Sequence, residues 1–136
     1  MTGIELLLTA LVAVESGGDV NAVGDGGKSL GPLQIQRGYW QDAVEQLEKD
    51  GFPARGALVY ERGVKNLAYC KIIVMAYWRR YRIDAYTSDP LDYETLARVH
   101  NGGGPRAKLD HPKHDEWLQA TAPYWAKVKA EMERGK

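Results

Sequence analysis

The stretch Ile4-Glu5-Leu6-Leu7-Leu8-Thr9-Ala10-Leu11-Val12-Ala13-Val14-Glu15-Ser16-Gly17-Gly18 decides how the rest of the chain is read. Apolar residues at Ile4, Leu7, Leu8, Leu11 and Val14 follow the helical repeat, and Leu6 and Val12 widen the stripe. The spacing predicts a helix over 4–14 that is buried nearly all round and central to the core. Glu15 closes this apolar run and is followed at once by Ser16 and two glycines, which puts a charged group at the C-terminal end of a buried helix. The run is too short to span a bilayer, is broken by Glu5 and has no basic leader. It reads as a core helix, with no signal peptide in the chain and no stable membrane insertion.

Outward from this helix, Asp19 to Gly31 holds four glycines with Asn21 and Asp25, a composition for tight turns with positive φ. A glycine-rich loop or short β-hairpin is expected there. Leu33 and Ile35 alternate with Gln34 and Gln36 as a stub of strand would. Tyr39, Trp40, Ala43, Val44 and Leu47 return to helical spacing, and this second helix is expected to end before Gly51-Phe52-Pro53. Val64 to Tyr81 carries the longest helical pattern, with Arg79, Arg80 and Arg82 in its last turn, where cations favour the helix dipole. Asp89-Pro90 reads as an N-cap and first-turn proline opening a helix through Leu96, Ala97 and Val99, which stops at Asn101-Gly102-Gly103-Gly104-Pro105. Pro123 is expected to open a final helix containing Tyr124, Trp125, Val128 and Met132. No repeat or linker divides the chain, so the reading is a mainly α, single domain over 1–136.

The 136 residues are 44% hydrophobic, enough for one core, and 18 basic residues balance 18 acidic ones. That balance argues against nucleic acid or an anionic membrane as the main partner. The single Cys70 cannot form an intrachain disulfide, and its neighbours Leu67, Ile72, Ile73 and Val74 mark it as a small buried hydrophobe. His111-Pro112-Lys113-His114-Asp115 offers metal-binding side chains, but without cysteines or a second ligand cluster it reads as a solvated loop, and no metal is expected. The three glycines at 102–104 lack the strand and helix of a nucleotide site, and no cofactor motif is present.

Glu15 and Asp25 are two carboxylates in unlike surroundings, the minimum kit for glycoside hydrolysis. A carboxylic acid donates a proton at near-neutral pH only where an apolar setting favours its neutral form. The end of an apolar helix offers Glu15 that setting; the bland reading is a helix-end carboxylate in solvent or paired with an arginine. Asp25 reads either as the group that serves a water or a developing positive charge, or as an ordinary Asp-Gly turn residue. Sequence separation does not give the distance between them, so retention and inversion both stay open.

Four blocks, Val14-Glu15-Ser16-Gly17-Gly18, Gly31-Pro32-Leu33-Gln34-Ile35, Tyr39-Trp40-Gln41-Asp42 and Leu96-Ala97-Arg98-Val99-His100-Asn101-Gly102-Gly103, resemble in order and spacing those of the lysozyme superfamily. The likeness is closest to the invertebrate-type lysozymes, also called the destabilase family, and the first two blocks also resemble soluble lytic transglycosylases. The resemblance implies a lysozyme-like fold and cleavage of peptidoglycan glycan strands. It puts Glu15 at the catalytic acid position and Asp25 near the second carboxylate.

The resemblance further implies that Ser29, Gln34, Tyr39, His100, Asn101 and Gly102 bind the substrate, amide and hydroxyl groups reading acetamido arms while aromatic faces support sugar rings. The bland alternative puts Tyr39 and Trp40 in the core and makes Asn101-Gly102 a helix cap. Arg79, Arg80, Arg82 and Arg98 read equally as contacts to the acidic peptides or phosphates of a cell wall and as helix-end residues. Invertebrate-type lysozymes are rich in disulfides and this chain has none to form, which points to a bacterial or phage branch acting on the bacterial cell wall. The isopeptidase activity of the family would need a Ser and His pair, for which Ser16 or Ser29 with His100 lack a nucleophile signature. A monomer with no cofactor is expected. The competing readings are a lytic transglycosylase with Glu15 as sole acid and base, and a non-catalytic glycan-binding structural protein.

Overall fold

The computed structural model describes residues 2–52, 59–81 and 92–136. Among them the architecture is mainly α: helices α1 (Gly3–Glu15), α2 (Arg37–Lys49), α3 (Tyr60–Gly63), α4 (Leu67–Arg80), α5 (Tyr93–Gly102) and α6 (His114–Arg134). A two-stranded antiparallel hairpin, β1 (Val23–Gly24) and β2 (Ser29–Leu30), follows α1, with Val23 opposite Leu30 and Gly24 opposite Ser29. Contacts group the chain into two compact units, Met1–Val14 with Tyr81–Lys136, and Glu15–Arg80.

In the first unit α1 opens with a capping box. The Thr2 backbone N–H donates to Glu5 Oε2 at 2.8 Å, and the Glu5 N–H donates to Thr2 Oγ1 at 3.1 Å. Leu7, Leu8, Ala10 and Leu11 are buried, but Glu5, Thr9 and Ala13 are exposed. The helix is therefore not buried nearly all round, because these three residues, spaced by four, form one face with little apolar area to hide. Helix α5 also starts elsewhere than expected: its cap is Asp92, whose Oδ1 accepts from the Thr95 N–H at 3.2 Å and whose Oδ2 accepts from Thr95 Oγ1 at 2.7 Å. Asp89 and Pro90 lie outside the described residues.

Helix α6 packs against α5 and, at 21 residues, is the longest described helix. It starts at His114, so Pro123 lies inside it rather than opening it. The stripe Trp117, Thr121, Tyr124, Val128 and Met132 is buried continuously across that proline. An internal proline removes one helical N–H and crowds the carbonyl four residues earlier. Here both Pro123 and Gln119, the residue whose carbonyl loses its donor, are exposed, so the break lies on the solvent side of the helix. Burial of the large side chains on the other face outweighs the break.

The second unit is built on the packing of α2 against α4. Ala43, Val44 and Leu47 of α2 and Cys70, Ile73, Val74 and Tyr77 of α4 are buried, each set at helical spacing. Fully burying a side chain the size of Val44, Leu47, Ile73 or Val74 stabilises by roughly 1.5–3 kcal/mol. Arg80 pairs with Glu45 at 3.1 Å and Arg79 with Asp50 at 3.0 Å, so the two arginines tie the end of α4 to α2. Arg82 lies outside the described residues. The pattern read as one helix from Val64 is divided: α3 ends at Gly63, Val64 is its C-cap, and α4 starts at Leu67. The expected strand stub reduces to one bridge, in which Leu30 and Ile35 exchange backbone hydrogen bonds of 3.3 and 3.0 Å around a turn over 31–34.

Gly31 fixes that turn. Its φ is +82°, and a Cβ built on it would lie 1.7 Å from the Val64 carbonyl oxygen, against backbone that has no flexible end to swing aside. Gly31→Ala combines a left-handed conformation with this clash, and the expected loss of stability exceeds ~3 kcal/mol. A urea melt followed by circular dichroism measures it; an unchanged midpoint would contradict the close approach.

Cys70 is fully buried, with its Sγ 3.0 Å from the Val64 carbonyl. Burial pushes the thiol up to about 12. The unfolded chain, with an ordinary thiol near 8.5, therefore releases this proton first as pH rises, and stability is lost above about pH 8.5 by at most ~1.4 kcal/mol per pH unit. The stability advantage of wild type over Cys70→Ala should accordingly shrink between pH 8 and pH 10, while tyrosine ionisation affects both chains alike. Parallel curves in urea melts across that range would show the thiol to be exposed.

Candidate active site

Glu15 is the last residue of α1 and half-buried. The chain leaves the helix through Gly17 and Gly18, with φ of +65° and +95°, left-handed values that glycine adopts without strain at the end of an α-helix. Between them and Glu15, the Ser16 hydroxyl donates to the Pro32 carbonyl at 2.9 Å and accepts the Gly18 N–H at 3.1 Å. The joint that carries Glu15 is thereby fastened to the Gly31–Pro32 turn. Two of the sequence blocks, distant by sixteen residues, meet in this one hydrogen bond.

Asp25 lies on the exposed tip of the hairpin with φ +51°, in the left-handed region that Asp tolerates better than most residues. Its Oδ2 accepts from Ser29 Oγ at 2.6 Å, and Ser29 Oγ accepts from Gln36 Nε2 at 3.2 Å. Ser29 is 1% exposed. Gln34, also left-handed at φ +52°, donates from Nε2 to the carbonyls of Ala22 at 3.1 Å and Gly31 at 2.9 Å. Both its amide hydrogens are committed to the backbone of the hairpin and turn. Tyr39 is half-buried and stacks face to face on Tyr77, ring centroids 3.7 Å apart. Trp40 donates from Nε1 to the Tyr69 hydroxyl at 2.9 Å.

A cleft of about 450 Å³ opens where the hairpin, the start of α2 and α3 meet, lined by Lys28, Leu30, Gln36, Arg37, Tyr60 and Glu61 among others. Arg37 pairs with Glu61 and lies over the Tyr60 ring, 4.6 Å from its centroid. Tyr60 is buried and donates its hydroxyl to the Ile35 carbonyl at 2.6 Å. Burial raises the Tyr60 phenol, against Arg37, which lowers it. Glu61 is held low by its own backbone N–H and by Arg37. Sequence reasoning missed Arg37, Tyr60 and Glu61, because a helix of four residues shows no period and the cleft needs its pairing with a distant turn.

In the other unit His100 is buried in α5, while Asn101 and Gly102 form its exposed last turn. The helix thus runs two residues into the expected stop, and Gly103, at φ +92°, ends it. A Cβ on Gly102 would meet Trp117 Nε1 at 2.6 Å and Thr121 Cγ2 at 2.5 Å, so this glycine lets α6 approach α5. Arg98 pairs with Glu94 at 2.8 Å and donates to the Leu118 carbonyl at 3.0 Å. His114 opens α6 with Nδ1 3.0 Å from the Arg106 carbonyl, and His111 Nδ1 accepts the Lys113 N–H at 3.0 Å. Among the described residues no three His, Cys, Asp or Glu side chains group as a metal would need, and no helix is long and apolar enough to cross a membrane.

A mainly α chain with a hairpin after its first helix, and a carboxylate at the end of that helix, has the architecture of a lysozyme-like protein. The destabilase family profile matches residues 5–130, and the chain belongs to that family, the invertebrate-type lysozymes. Membership implies lysozyme-type hydrolysis of glycan. Among solved structures the chain is similar to Meretrix lusoria lysozyme in its crystal structure in complex with Aeromonas hydrophila PliI, at 25% identity and a TM-score of 0.66 over 96% of this chain and 93% of that one. Comparison with the curated proteins finds no match.

The Tyr60 hydroxyl is the polar link between α3 and the turn that carries Ile35. Tyr60→Phe leaves the buried Ile35 carbonyl with only its bridge partner, and the expected cost is about 1–2 kcal/mol in a denaturant melt. Loss of nothing measurable would mean that water replaces the hydroxyl.

Proposed function

We propose that this chain hydrolyses the glycan strands of peptidoglycan, with Glu15 as general acid and Asp25 as the second carboxylate. Glu15 donates its proton to the glycosidic oxygen, the C1–O bond breaks with its electron pair going to that oxygen, and positive charge develops on the sugar ring. Asp25 carries the negative charge that balances it. Water then adds its oxygen to C1, and a proton returns to the Glu15 carboxylate. Acid, carboxylate and water suffice, and no cofactor enters.

The observation that carries this reading is the setting of Glu15 in a destabilase chain: half-buried at the end of α1, on a joint fastened by Ser16 to the Pro32 carbonyl. A general acid has to keep one position through the reaction, and such an anchor supplies it. Asp25 is supported by its position on the hairpin that follows that joint and by its fixed Oδ2, which leaves Oδ1 for the reacting groups. Sugar-binding roles for Tyr39, His100 and Asn101 rest on family membership. The family profile runs through both units, which supports treating residues 1–136 as one domain, and a peptidoglycan substrate makes the bacterial cell wall its place of action.

Purified peptidoglycan digested in parallel by wild type, Glu15→Gln and Asp25→Asn, with the soluble products read by mass spectrometry, tests this. Wild type is expected to release muropeptides with reducing ends, and Glu15→Gln to slow release by about 10²–10⁴-fold. Anhydro products from wild type would make the enzyme a lytic transglycosylase. Undiminished cleavage by Glu15→Gln would remove Glu15 from the chemistry, and binding without release of either product would leave a glycan-binding protein.

A further inference from the structure

Asp25 stands on an exposed turn, where a carboxylate ordinarily swings between rotamers, whereas a group serving a reacting centre has to be held to about 0.5 Å. Two side chains restrain it. Ser29 donates its hydroxyl hydrogen to Asp25 Oδ2 at 2.6 Å, and Gln36 donates from Nε2 to the same hydroxyl oxygen at 3.2 Å. A serine hydroxyl has one hydrogen to give. With Gln36 able only to donate from its nitrogen, that hydrogen is directed at the carboxylate.

The hairpin does not need this chain for its register. Gly24 and Ser29 already pair across the strands, and the Lys28 N–H closes the turn on the Asp25 carbonyl at 3.3 Å. What the side chains add is a fixed orientation of one carboxylate whose backbone is itself held in the left-handed region. Ser29, at 1% exposure and with its hydroxyl used on both sides, cannot itself reach a sugar. We propose that Ser29, oriented by Gln36, is a positioning residue that holds the Asp25 carboxylate for the reaction. The proposal rests on the reading of Asp25 as the second carboxylate.

The test measures kcat and KM on solubilised, labelled peptidoglycan for Ser29→Ala, Gln36→Ala and Asp25→Asn, and for each of the first two combined with Asp25→Asn. Misplacing a reacting group by an ångström costs up to ~10²-fold, and the expected loss in kcat is about 10-fold for Ser29→Ala and about 3-fold for Gln36→Ala, with KM within about twofold. Neither substitution should slow the enzyme further once Asp25 is Asn. If Asp25→Asn itself keeps wild-type kcat, the two-carboxylate reading falls and this inference with it. If Asp25→Asn is slow while Ser29→Ala and Gln36→Ala turn over normally, only the positioning role is overturned. It is equally overturned if the losses persist undiminished in the Asp25→Asn background, or if KM rises with kcat unchanged. Should Ser29→Ala not fold, as its thermal melt would show, Gln36→Ala carries the test, since Gln36 is exposed.

Discussion

The absence of a side chain at Gly31 is the constraint on which the unit from Glu15 to Arg80 depends. Its backbone rests against the Val64 carbonyl at a distance no other residue permits, and its N–H donates to the Ala22 carbonyl at 2.9 Å. Three things converge there: the hairpin base, the segment between α3 and α4, and the Pro32 carbonyl that receives Ser16. A carbonyl brought this close can be shared among neighbours; Val64 also receives the Cys70 thiol. The position of Glu15 is thus set by backbone contacts made sixteen to fifty residues away, which is why a glycine and a proline matter to an acid they do not touch.

Several polar side chains in this unit act as structural connectors. Gln34 spends its amide nitrogen on two carbonyls, Tyr60 its hydroxyl on Ile35, and Ser16 its hydroxyl on Pro32. Hydrogen bonds of this kind between side chain and backbone are worth little singly, about 0.5–1.5 kcal/mol each. Their effect is geometric. They hold a loop rich in glycine, which on its own would pay heavily in conformational entropy, to one course.

Much of the fold was legible in the sequence because it is written in period and punctuation. The apolar spacing of α1 and α2, the turn composition of 19–31 and the glycine stop of α5 each follow from local chemistry, and the structure has all of them. What escaped depended on the other side of a contact. Pro123 reads as a beginning unless one knows that its own face meets water while the opposite face of α6 is buried. The capping box of Thr2 and Glu5 was hidden in an apolar run, and Asp92 competed with the stronger-looking Asp89-Pro90. Of the site, Glu15 stood out as a charge at the end of an apolar helix. The tie from Asp25 through Ser29 to Gln36 did not, since hydroxyl and amide residues at separations of four and seven carry no periodic signal.

Cys70 is the only cysteine in the chain, and it is buried in α4 with its thiol against the Val64 carbonyl at the end of α3. Nothing in the fold waits for an oxidant. A lysozyme cross-linked by disulfides reaches its stable form only where thiols are oxidised, and loses it where they are reduced. This chain holds its fold by packing, hydrogen bonds and ion pairs and has no intrachain cross-link to form, so its folding does not wait on the redox state of its surroundings.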